Sequence, residues 1–156
     1  KAFRANARNP RKPHQLGHVL PALLHKQLST IRAYDPFVGD TDSEVLIELR
    51  EDVQRFHYLI SCFEPMLGET TAPYLVDLTR IEDLLERISE ASRTLYRLIH
   101  LPRTNLGKEQ LQALKDYRRD LRTRRQNLYD QLPALWEDFN VRRTQENLTQ
   151  SLLVLL

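Results

Sequence analysis

The chain has 156 residues, a single cysteine and a formal net charge of +2, with 41% hydrophobic and 28% charged side chains. That length supports one domain with a proper core, and Cys62 alone excludes an internal disulfide framework and points to a reducing, cytoplasmic compartment. No run approaches the ~18 apolar residues of a membrane helix, and Lys1 in place of an initiator methionine marks the sequence as cut from something longer.

Residues 1–15 are polar, basic and broken by Pro10 and Pro13, so they read as an arm or connector ahead of a bundle over 16–156. Lys1, Arg4, Arg8, Arg11, Lys12, Lys26 and Arg32 fall in the first 34 residues, and all 21 acids lie beyond them. A basic first segment on a mildly acidic remainder favours an anionic partner or a solvated arm. The first helix is predicted from Leu16 to Tyr34, burying Leu16, Leu20, Leu23, Leu24, Leu28 and Ile31, with Pro21 tolerated only near its start. Asp35-Pro36 and Gly39-Asp40 break the chain, and Thr41, Asp42 or Ser43 caps a second helix that stops near Gly68.

That second helix carries Leu46, Leu49, Val53, Phe56, Ile60, Phe63 and Leu67 at three-four spacing, which builds one buried face. Cys62 is expected as a small core or boundary residue. Beside the buried face runs a second stripe, Ile47, Arg50, Gln54 and His57. A third helix starts near Thr70 or Thr71, with Pro73 in its first turn and Pro102 beyond its end; its seam is Tyr74, Leu78, Ile81, Leu85, Ile88, Leu95 and Leu98. A fourth follows Gly107, with Leu114, Tyr117, Leu121, Leu128, Leu132, Leu135 and Phe139 inward and a bend or interruption at Pro133. A last amphipathic piece holds Leu148, Leu152 and Leu155. Nothing alternates like a strand, so the fold class is all-α: an antiparallel four-helix bundle with an additional C-terminal helix.

The second helix also carries a resemblance. In LIELREDVQRFHYLISCFE, Leu46, Leu49, Arg50, Arg55 and Tyr58 follow the pattern L-H-x-L-R-x-x-x-K-R-L-R-Y-x-x-E-x-F. TRIEDLLERISEA, Thr79 to Ala91, is similar through Asp83 and Leu85 to a downstream L-Q-D-x-L-G-x-L-N-D stretch. Together they resemble the CHAD family, the conserved-histidine α-helical domain, over roughly Leu16 to Phe139. A complete CHAD domain is two helical halves, and this chain resembles the C-terminal one. Ile47, Gln54 and His57 stand where the family has histidine, lysine and arginine, and Glu86 and Glu90 where it has glycine and aspartate. The resemblance implies a module that binds inorganic polyphosphate through a basic groove.

Arg50 and Arg55 are the expected polyanion contacts, with His57 a weaker third donor and Lys26 and Arg124 joining them on one concavity. Cations repeating every three or four helical residues stand about 5–6 Å apart, which suits a row of phosphates. Each has an alternative reading. Glu51 can pair with Arg55 at i,i+4, and Arg124 can reach Asp83, Glu86 or Glu90 of the third helix instead of a phosphate. His14, His18 and His25 share a nominal face, but Pro13 and Pro21 disturb it and no carboxylate completes a shell, so no metal is expected. The four glycines are isolated and no nucleophile–histidine–acid constellation stands out. The expectation is therefore a non-catalytic polyanion-binding module without cofactor, its groove completed by a second helical half or a second copy. The alternative is a degenerate half acting as a scaffold or protein-interaction module. Nucleic acid is a poor third partner, because no aromatics interleave with the basic residues.

Overall fold

The structure is a computed structural model and describes residues 16–39, 43–102 and 106–153. Among these there are six α-helices: α1 (Leu16–Arg32), α2 (Ser43–Phe63), α3 (Thr71–Ile99), α4 (Lys108–Tyr129), α5 (Leu132–Asn140) and α6 (Arg142–Leu153). Short 3-10 turns at Asp35–Phe37 and Glu64–Met66 follow α1 and α2. The arm 1–15, the expected caps Thr41 and Asp42, and Leu155 lie outside the described residues.

Breaks fall where the chain loses donors or helical freedom. Pro65 sits in the turn that ends α2, and Pro73 occupies the first turn of α3, where a missing N–H costs nothing. At the start of α4, the Gly107 N–H donates to Oε1 of Gln110 at 3.0 Å, which satisfies one donor at the helix entrance. The predicted fourth helix is two helices. The chain turns at Asp130 and Gln131, and Pro133 becomes an early residue of α5 instead of a kink inside a longer rod.

α3 is the hub and touches α2, α4, α5 and α6, while α1 packs on α2. α2 and α3 run antiparallel: Arg50 meets Glu86, and His57, further along α2, meets Glu82, further back along α3. The predicted seams of α2 and α3 fill most of the core. Leu46, Leu49, Val53, Phe56 and Ile60 of α2 pack with Tyr74, Leu78, Ile81, Leu85 and Ile88 of α3. Tyr74 sits edge-on to Phe56 and beside Phe139, and Trp136 lies against Phe139. Buried Trp136 also donates its Nε1–H to Asp35 at 2.8 Å, which pins α5 to the turn after α1.

Three expected core positions prove to be exposed, and three more, Leu98, Leu114 and Leu121, are only half-buried and lie outside the core cluster. Leu23 is 43% exposed, because Leu20, Leu24 and Ile31 already cover the contact with α2. Tyr117 is half exposed at the edge of the α3–α4 seam. Cys62 is exposed, on the face of α2 that carries Tyr58, since the buried arc narrows to Ile60 and Phe63 at that end.

Candidate polyanion interface

The stripe Ile47–Arg50–Gln54–His57 points along the seam between α2 and α3, and acids from α3 meet it. Arg50 donates to Oε2 of Glu86, whose other oxygen accepts from Arg93 at 2.6 Å. The Arg50 hydrogen bond, opposed by partial burial and aided by Arg93, holds the Glu86 carboxyl below its usual range. His57 Nδ1 is paired with Glu82. Arg50 has only 19% of its side chain exposed, so its charge is answered within the seam and not offered to solvent.

Arg55 lies on the other flank of α2. It donates to Asp52 at 2.9 Å and reaches Glu51 at 3.3 Å, the i,i+4 partner that the spacing allows. Asp52 is buried and accepts a second bond from the Tyr34 hydroxyl at 3.0 Å, tying the end of α1 to α2. Burial, then that bond, pushes the Tyr34 hydroxyl up to about 12. Lys26 is exposed on α1. Arg124 is exposed on α4 and pairs through Nε with Asp120 of its own helix at 2.9 Å, not with Asp83, Glu86 or Glu90.

The expected convergence therefore does not occur. Arg50 and His57 face α3, Arg55 faces the α1 side, and Lys26 is exposed on α1. Arg124 lines a cleft between α3 and α4 that none of the other four touches. The physical reason is angular: five positions on a helix turn the chain by roughly 140°, so Arg50 and Arg55 cannot share a face.

A different row of cations is less encumbered. Lys108, Lys115, Arg118, Arg122 and Arg125 of α4 fall within an arc of roughly 100° on one edge of that helix. None of the five has a carboxylate partner among the described residues, whereas Arg119, which borders the row next to Lys108 and Lys115, and Arg124, on the far side of the helix, are held by Asp116 and Asp120. Arg118 and Arg125 are half-buried against the bundle; the Arg118 Nε is buried with no partner, and Arg125 lies over the Tyr129 ring, 5.6 Å from its centre. Lys108, Lys115 and Arg122 reach into solvent beside them. The crowding of Lys115, Arg118 and Arg122 is visible in the sequence. What marks the edge is the spacing of seven, three, four and three residues, together with acids confined to the other edge.

The sequence model of the CHAD domain matches residues 1–99 and again residues 22–153. The chain belongs to the CHAD family. The all-helical bundle is the architecture that this membership calls for, and the first match takes in residues 1–15 together with α1, α2 and α3. No curated protein and no solved structure matches the chain. Among the described residues of this CHAD protein, no helix is long and apolar enough to cross a membrane.

Proposed function

We propose that this CHAD chain is a non-catalytic module that binds a linear polyanion, inorganic polyphosphate being the ligand that the family resemblance implies. The observation that carries this is the edge of α4, where five cationic side chains stand in one row without acidic partners among the described residues. Successive members from Lys115 onward are separated by about 4.5–6 Å along the helix axis. A phosphate chain laid along that edge meets a guanidinium or ammonium at each step, and arginine forks fit its paired oxygens. Arg125 gains a rigid seat from Tyr129, so less side-chain freedom is lost when it binds. Arg50, Arg55 and His57 play a structural part in this reading: Arg50 and His57 join α2 to α3 through Glu86 and Glu82, and Arg55 pairs with Asp52 and Glu51 of its own helix.

A second reading, a scaffold or interaction module with no phosphate ligand, is favoured by that same pairing: four of the five residues picked from the sequence are already answered by acids. Titration of the chain with long-chain polyphosphate at low and moderate salt separates the two. The polyanion reading predicts binding that weakens steeply with salt. It also predicts that the Arg118→Gln, Arg122→Gln, Arg125→Gln triple variant loses about tenfold or more in affinity, while Arg50→Ala with Arg55→Ala changes it far less. Absence of binding at low salt leaves the scaffold reading, and size measurement of the purified chain then shows whether a second copy is its partner.

A further inference from the structure

We propose that the cleft between α3 and α4 is a binding site for a nucleoside monophosphate, distinct from the cationic edge of α4. The cleft has a volume of ≈ 440 Å³, within the range of small-molecule sites. Its floor is apolar, made by Ala91, Leu121 and Leu128. Two guanidiniums line it, one from each helix. Arg87 of α3 has no ion-pair partner among the described residues, and Arg124 uses its Nε on Asp120, which leaves its two terminal nitrogens for a ligand. A pair of arginines is the arrangement that grips phosphate oxygens by paired hydrogen bonds.

Tyr117, where the α4 lining begins, is half exposed on the cleft wall. It precedes Arg124 by two helical turns, roughly 10 Å along the axis, which is the reach of a nucleoside monophosphate from base to phosphate. A purine stacked on that ring covers apolar surface that a bare phosphate chain cannot use. Glu90, without a partner among the described residues, lines the cleft one helical turn from Arg87. Sugar hydroxyls can donate to its carboxylate, whereas a run of phosphates is repelled by it. The cleft thus selects a ligand with one phosphate, a hydroxylated middle and a flat apolar head, while the α4 edge suits a phosphate chain.

Isothermal titration of the full chain with adenosine 5′-monophosphate, ribose 5-phosphate and inorganic phosphate tests this. Adenosine monophosphate is expected to bind about tenfold tighter than ribose 5-phosphate, the share supplied by stacking. Arg87→Gln is expected to weaken it by about tenfold, and Tyr117→Leu to bring it down to the level of ribose 5-phosphate. Both side chains are exposed, and circular dichroism checks that the helices persist. The α4 triple variant is expected to bind adenosine monophosphate as the parent chain does, so this site and the polyanion edge succeed or fail separately. Equal binding of adenosine monophosphate and ribose 5-phosphate overturns the proposal. So does nucleotide binding that both cleft variants leave unchanged, or that the α4 triple variant abolishes.

Discussion

At the scale of single residues, Glu86 sets the character of the α2–α3 seam. Both of its oxygens are engaged, one by Arg50 and one by Arg93, and its carboxyl is held below the usual range. A carboxylate whose folded pKa is lowered stabilises the fold above its unfolded value near 4.5, and that contribution fades as pH falls through the lower folded value. Because 42% of the Glu86 side chain is exposed, solvent screens the pair, and the contribution is expected to be below about 1 kcal/mol. Glu86→Gln should therefore lower the urea midpoint slightly at neutral pH and narrow the gap to the parent chain as pH drops below the ordinary value of 4.5. A gap that widens in acid would show that Glu86 does not carry this dependence. The same substitution leaves Arg50 without its carboxylate, so polyphosphate titration of the variant also asks whether the seam can take up an anion once its internal one is gone.

The elements show how strongly local chemistry decides where a helix stops and how little it says about what the helix touches. Pro73 and Pro133 each mark a boundary that the structure keeps, and Pro65 stands in the turn that ends α2 before the expected stop near Gly68. The placement of α5 rests on a contact across 101 residues, from the Trp136 indole to Asp35, with Asn140 reaching the same oxygen at 3.3 Å. Asp35→Ala removes both bonds and leaves a buried indole N–H unanswered, at an expected cost of about 1–3 kcal/mol. Trp136 is the only tryptophan, so its fluorescence reports on α5 directly. The variant is expected to show a red-shifted emission in the native state and a lower unfolding midpoint; unchanged emission and midpoint would mean that the hydrogen bonds do not hold α5 in place.

For the molecule as a whole, the decisive quantity is the distribution of charge. A net charge of +2 is too small for the whole surface to attract a polyanion, so any binding must come from a local concentration such as the α4 edge. The expected signature is a linear fall of log affinity for polyphosphate with log salt, with a slope about 2–3 units shallower in the α4 triple variant than in the parent chain. An identical slope in both would place the contact elsewhere. The same distribution explains why the α2 stripe is a weak docking surface: α3 brings Glu82 and Glu86 against it, so a ligand there must first displace two internal partners.

Much of this was legible in the linear chain. Apolar spacing marked the seams of α2 and α3, because burial follows helical periodicity whichever neighbour covers it. Pro73 and Pro133 placed helix starts, because a missing donor costs nothing in a first turn, whereas Pro21 stands inside α1. The Arg55–Glu51 pair and the crowded cations of α4 were visible as spacings, since both are local to one helix. The fate of Arg50 and His57 was not, for their partners lie 36 and 25 residues away, on a helix whose register against α2 is set by packing. Periodicity places a side chain on a face of its own helix. Only the docking of helices decides whether that face meets an acid, as with Arg50, or opens on a cleft, as with Arg124.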